Sequence, residues 1–235
     1  MISINGVVFS GNSVVITNGR SFNGGGTIKS RKFDEKRDED ANNVESIIVN
    51  STFVDVNISA SNSSKIESHF YGQADVEGDV DFDVCRVNNE LRITLNFTGS
   101  CYNGNLRLDV NVPHKFFKMI YANTQSADIG LNENVLTEGL IVKTKSGNLE
   151  TSATFKNASI TTKSGDVELF INAGKDIGVE ITTMSGDVSA VLKNIRQLNL
   201  STATRSGDVR NCHNRTTGYT ADVNISTMRG DISIY

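Results

Sequence analysis

The stretch Thr161-Thr162-Lys163-Ser164-Gly165-Asp166-Val167 decides the fold. Its centre, Thr-x-Ser-Gly-Asp followed by an aliphatic residue, recurs at Thr183 to Asp187 and Thr204 to Asp208. It recurs with one change at Thr124 to Asp128 (Ala127 for Gly), Thr144 to Asn148 (Asn for Asp) and Thr227 to Asp231 (Arg229 for Ser). The final residues of successive copies are 20, 18, 21, 21 and 23 positions apart. A near-constant period of this length marks stacked structural repeats rather than a catalytic motif.

Within each copy the apolar residues precede the turn with period two. Eight residues before the final Asp or Asn stand Ile120, Leu140, Ala158, Val179, Leu200 and Val223, and six before it stand Ala122, Val142, Ile160, Ile181, Thr202 and Ile225. That is a strand facing a core. After the turn the parity flips, with Ile129, Leu149, Val167, Val188, Val209 and Ile232 directly following the final residue. A glycine turn or bulge produces such a flip because an added residue changes the face taken by every later side chain. Glycine supplies positive φ, and the Ser and Asp oxygens cap nearby N–H groups. One repeat of this length cannot bury its own apolar edge, so successive coils must pair in parallel, about 4.8 Å apart. The expected fold is all-β: a β-solenoid, parallel β-helix-like, over residues 113–235.

The phrase at 161–167 with its copies, the strand ending in Val112-Pro113, and the opening Met1-Ile2-Ser3-Ile4-Asn5-Gly6 together resemble the bacterial and phage-borne adhesin-type family of SGD-repeat β-strand proteins. The resemblance covers the second half of the chain well and the first half loosely. It implies a right- or left-handed β-solenoid and supplies no catalytic residues.

The 235 residues carry no Trp, one Pro, 20 Gly and a net charge of −4. This suits many short strands joined by glycine turns. The negative balance, and the lack of a Lys/Arg stripe interleaved with aromatics, weigh against a nucleic-acid partner. The opening lacks a basic, then apolar, export signal and no segment reaches the length of a membrane span, so cytoplasmic residence is expected. Cys85, Cys101 and Cys212 are expected as free thiols, although the first two could face each other across neighbouring strands.

Residues 1–30 read as a β-hairpin or meander broken by Asn5-Gly6, Gly11-Asn12 and Asn18-Gly19. Residues 31–43 are a charge run, expected as a solvated loop or short exposed helix. Residues 44–112 read as a β-rich antiparallel cap or as degenerate coils, with Glu77-Gly78-Asp79-Val80 echoing the repeat phrase. At the other end the last copy runs out at Tyr235, so Ile232, Ile234 and Tyr235 are expected to form an open parallel edge suited to homo-oligomerisation.

Few residues suggest chemistry. The aspartate ladder Asp166, Asp187, Asp208 and Asp231 reads as turn capping rather than a metal site, since Asn148 breaks the charge pattern and Lys163 and Arg205 lie close by. The same repetition argues against a β-helix glycosidase, which needs two carboxyls at one defined separation. Arg229-Gly230-Asp231 reads as drift of the repeat. Three residues before the final Asp or Asn lie Gln125, Lys145, Lys163, Met184, Arg205 and Met228. These long side chains rule out a flat ice-binding face and form a stripe alternating basic and methionine side chains, suited to protein contact. His69, His114 and His213 are far apart, and no P-loop, dinucleotide or triad pattern occurs. The expected function is non-enzymatic binding or assembly, to a protein partner or to itself, with no cofactor and no metal. The alternatives are a carbohydrate-active β-helix enzyme or glycan-binding adhesin, and a phage-type inhibitor of a host protein.

Overall fold

In a computed structural model the described residues are 28–235, apart from 103 and 215, together with three short strands near the start. Those strands, Ile2–Ile4 (β1), Val7–Ser10 (β2) and Ser13–Ile16 (β3), pair antiparallel with one another. The rest of the expected 1–30 meander lies outside the described residues, except for 28–30. Among the described residues there is no helix, hence none long and apolar enough to cross a membrane.

Two sheets face each other across one core. A coil consists of a strand in the front sheet, a tight turn, a strand in the back sheet and a return. Five consecutive coils carry this plan through the second half. They are Phe116–Asn123 (β12) with Ile129–Leu131 (β13), Leu136–Ser146 (β14) with Leu149–Thr151 (β15), Asn157–Ser164 (β16) with Val167–Asn172 (β17), Ile177–Ser185 (β18) with Val188–Lys193 (β19), and Ile195–Thr204 (β20) with Val209–Asn211 (β21). Tyr219–Arg229 (β22) and Ile232–Ile234 (β23) make a sixth. Strand β16 shows the burial logic: Ala158, Ile160 and Thr162 point inward and are buried, while Thr161 and Lys163 are exposed. Burial of a side chain the size of Ile160 contributes about 1.5–3 kcal/mol.

The turns need glycine for two reasons. Gly165 has φ +146°, and a Cβ placed there would lie 2.0 Å from the Gly147 carbonyl oxygen of the preceding coil. Stacked turns therefore approach too closely for any side chain.

The first half joins the same stack. Ser46–Ser51 (β5) and Asp55–Ser61 (β6) form a coil directly against β12 and β13, and Glu90–Phe97 (β9) and Arg107–Pro113 (β11) lie outside them, all in parallel. Both sheets thus run without interruption past residue 113. The β5–β6 turn, Ser51-Thr52-Phe53-Val54-Asp55, lacks the repeat phrase, yet Ser51 Oγ bonds the Val54 carbonyl as Thr124 Oγ1 bonds that of Ala127.

The charge run is not a loop or helix. Lys29–Asp40 (β4) is a strand paired along its whole length, antiparallel, with Lys65–Val76 (β7), which pairs in turn with β11 and with Cys101–Tyr102 (β10). Only Phe33 is buried on it; the other side chains remain in contact with water while opposite charges meet across the pair, as in Lys65–Asp38 at 3.6 Å. Val80–Val87 (β8) closes the front sheet antiparallel to β9. Phe33 and Phe70 (centroids 4.9 Å apart) and Phe70 and Phe82 (5.8 Å) fill this end of the core. Glu77-Gly78-Asp79-Val80 is the connection from β7 back to β8, not a coil turn. Cys85 and Cys101 are free thiols and lie in different sheets.

The other end departs from sequential stacking. Strand β22 pairs with β18 on one side and β20 on the other, and β23 sits between β19 and β21. The last coil in sequence is therefore the penultimate one in space. Ile232 and Ile234 have no exposed surface, and they are not an edge: both neighbours of β23 are occupied. Tyr235 is half exposed, but its N–H is bonded to the Ala190 carbonyl. Among the described residues the free end of the stack is instead β20 and β21.

Candidate functional site

The repeat aspartates are used between coils. The Asp166 N–H donates to Asn148 Oδ1 (2.9 Å), Asp187 N–H to Asp166 Oδ1 (2.8 Å), Asp231 N–H to Asp187 Oδ1 (2.8 Å) and Asp208 N–H to Asp231 Oδ1 (2.8 Å). The ladder begins earlier than the sequence phrase, since the Asp128 N–H donates to Asp55 Oδ1 at 3.1 Å. Each carboxylate satisfies the N–H that its neighbour's turn leaves unpaired, which an Asn oxygen does equally well. Asp231 of the Arg229-Gly230-Asp231 tripeptide belongs to this ladder. Among the described residues no three His, Cys, Asp or Glu side chains gather closely enough to hold a metal ion.

The outer face of the front sheet carries the candidate contact residues. Lys145, Lys163, Met184, Met228 and Arg205 are all exposed; the first four stand on successive strands in that order and Arg205 directly follows the next, β20, because β22 intervenes between β18 and β20. The stripe is therefore not an alternation of basic and methionine side chains. Two methionines adjoin, flanked by two lysines on one side and an arginine on the other. Among the described residues no ion pair or hydrogen bond engages the Lys145, Lys163 or Arg205 side chains.

About 20 Å along the strands from this stripe, the row Met119, Gly139, Asn157, Gly178, Asp222 crosses the same face in register. The two glycines leave a shallow groove of about 630 Å³ running across the strands, with Met119 and Ile141 as its apolar lining and Glu138, Glu180 and Asp222 as its acids. Lys156 lies 3.7 Å from Glu138, and Asn199 Nδ2 donates to Asp222 at 2.7 Å. The glycines are invisible as a site in the sequence because the row is assembled from five strands.

A polar cluster on the back sheet also escaped sequence reading, because it depends on β4 being a strand. His69 Nε2 lies 2.8 Å from Asp34 Oδ1, the His69 and Tyr71 rings are 4.6 Å apart, and Tyr71 OH donates to Asp109 at 3.0 Å. The His69 hydrogen bond holds the Asp34 carboxyl below its ordinary value, while burial, aided by the Asp109 carboxylate, raises the Tyr71 phenol.

These features sit on a known architecture. The chain belongs to the Toastrack DUF4097 family, whose model matches residues 44–235. No curated protein matches it. Among solved structures, it resembles one named "putative cell adhesion protein" from Clostridium sporogenes, at 14% identity and a TM-score of 0.59, over 87% of this chain and 99% of that one. It also matches one named "putative adhesin" from Bacteroides fragilis, at 14% identity and a TM-score of 0.48, over 87% of this chain and 98% of that one. At such identity the Clostridium likeness shows the fold.

Proposed function

We propose that this protein is a non-enzymatic binding or assembly module whose rigid two-sheet stack presents the outer face of the front sheet to a protein partner. The observation that carries this reading is the exposed run Lys145, Lys163, Met184, Met228, Arg205, whose charges have no partners among the described residues. Because the ladder fixes these side chains, binding costs little ordering entropy, and the adjoining methionines adapt to an apolar contact between basic flanks. Within this reading the Ser-Gly-Asp turn is the repeating structural unit, and the antiparallel strands β4, β7 and β8 act as the cap of one end. The names of the solved neighbours, both called adhesins or adhesion proteins, point toward binding.

The groove across Gly139 and Gly178 favours a second reading, a glycan chain lying along the stack against Met119, Ile141 and the groove acids. Photo-crosslinking from position 184, compared with Thr182 on the same face, tests the first reading: a discrete protein adduct from 184 alone is expected. Parallel incubation with neutral and polyanionic glycans should release no new chain ends. Turnover abolished by Glu180→Gln, in the groove, would overturn the non-enzymatic reading.

A further inference from the structure

We propose that the free end of the stack, the outer edge of β20 with the apolar side chains behind it, is closed by the same end of a second copy of this chain in an antiparallel, two-fold pairing. This rests on the binding-or-assembly reading and names one occupant for one surface.

The two ends are built differently. At the end closed by β4, β7 and β8, the inward residues Leu91, Ile93, Leu95, Leu108, Val110 and Val112 are at most 1% exposed. At the other end the equivalent positions Leu198, Leu200 and Thr202 are only half-buried and Val209 is 45% exposed, although one coil deeper Val223 and Ile225 are at most 2% exposed. Among the described residues no further strand, parallel or antiparallel, pairs with β20 or β21 on this side.

The hydrogen bonds are left open at the same place. Along the back sheet the residue after each repeat Asp donates its N–H to the next coil: Val167 to the Asp187 carbonyl (2.9 Å), Val188 to Asp231 (2.9 Å), Ile232 to Asp208 (2.8 Å). By the same alternation the Val209 N–H points where no coil follows, and the Asp208 carboxylate is the last rung of its ladder. In the front sheet an inward residue donates toward the next coil, as Thr124 does to the Lys143 carbonyl (2.9 Å). In β20 those residues are Leu198, Leu200, Thr202 and Thr204.

Charge selects the occupant. Strand β4 is charged at every position except Ser30 and Phe33, and β8 carries Asp81 and Asp83, so that end repels an added strand. From Gln197 to Thr204 no residue is charged. An antiparallel pair of β20 edges centred on Leu200 sets Leu200 against its counterpart, Leu198 against Thr202, Asn199 against Ser201 and Gln197 against Ala203. Inward residues meet inward ones, outward meet outward, and no like charges face each other. A surface complementary to itself is what an isologous dimer requires.

The test is native mass by light scattering over a range of concentrations, for the intact chain, Leu200→Lys and the control Lys163→Glu. Twice the chain mass for the first and third, with a folded monomer for Leu200→Lys, is expected. A monomeric intact chain, a folded Leu200→Lys that stays dimeric, or open-ended growth overturns the proposal. Should Leu200→Lys fail to fold, hydrogen exchange of the intact chain decides: the Leu198, Leu200 and Thr202 amides should exchange slowly at high concentration and faster on dilution, and fast exchange at every concentration overturns it. Lys163→Glu alters the stripe but not the β20 edge, and neither measurement reads partner binding, so a monomer would leave the reading of a foreign partner at Met184 and Met228 standing.

Discussion

Asp187 and Asp231 are neighbours: the Asp231 N–H donates to Asp187 Oδ1 at 2.8 Å across 44 residues of sequence, while Asp208, the next aspartate in the chain, sits one coil further out. This one exchange of order buries the last coil of the sequence and exposes the coil before it, and it decides which surface the stack offers.

Ile232 and Val209 should therefore respond oppositely to a charge. Ile232→Lys places an ammonium in a fully buried position and should cost about 3 kcal/mol or more, enough to unfold a marginal domain. Val209→Lys should fold normally, with a change in stability within about 1 kcal/mol. Urea denaturation followed by circular dichroism distinguishes them; equal tolerance at both positions contradicts the coil order.

Removing a rung tests the aspartate ladder. Asp166→Ala orphans the Asp187 N–H and should cost about 1 kcal/mol, in the range of a lost cap. Asp166→Asn keeps an acceptor, as Asn148 does one coil away, and should change stability by less than about 0.5 kcal/mol. If both substitutions cost the same, the negative charge rather than the hydrogen bond is what the turn uses.

Gly165→Ala and Gly174→Ala separate required from incidental glycines. The first combines φ +146° with a Cβ 2.0 Å from a backbone oxygen, whereas nothing lies within 4 Å of the second. The first should cost about 3 kcal/mol or more, and the second should be neutral or stabilising by about 0.4–1 kcal/mol. Thermal unfolding of the two variants provides the comparison.

The strand pattern, the parity flip and the glycine turns were legible in the sequence because period-two burial and positive φ leave residue-type traces in every copy. Coil order was not legible. Inward columns such as Val179, Val223 and Leu200 offer interchangeable aliphatic neighbours, and any coil's Asp can cap any other's N–H, so local chemistry does not fix succession. The coil of β5 and β6 was readable only as one of two alternatives, cap or degenerate coils, because Ser51 and Asp55 perform the Thr and Asp roles without the phrase around them. Strand β4 escaped because both of its faces meet water nearly throughout, leaving Phe33 as the one inward mark. Of the candidate contact residues, the stripe was readable as a set of offsets, but its arrangement with Met184 beside Met228 depends on the exchanged coil.

The His69–Asp34 pair predicts an acid dependence. With its folded pKa depressed below the ordinary 3.8 by the His69 hydrogen bond, Asp34 contributes stability that is present above that ordinary value and is lost as pH falls through the lowered one. In His69→Phe the Asp34 carboxyl should titrate closer to its ordinary value, read by NMR. An unchanged titration would mean that the nearby Lys32 and Lys36, rather than His69, set it.

The coil order itself is tested most directly by cysteine pairs in a Cys85→Ser, Cys101→Ser, Cys212→Ser background. Thr182 and Ser226 are register partners on β18 and β22, and Ser226 in turn partners Ala203 on β20. Thr182→Cys with Ser226→Cys should oxidise readily to an intramolecular disulfide, the neighbouring strands being about 4.8 Å apart. Thr182→Cys with Ala203→Cys, two strands and about 10 Å apart, should not. The reverse outcome, a disulfide between 182 and 203 and none between 182 and 226, would restore sequential stacking and return the free edge to Ile232 and Ile234.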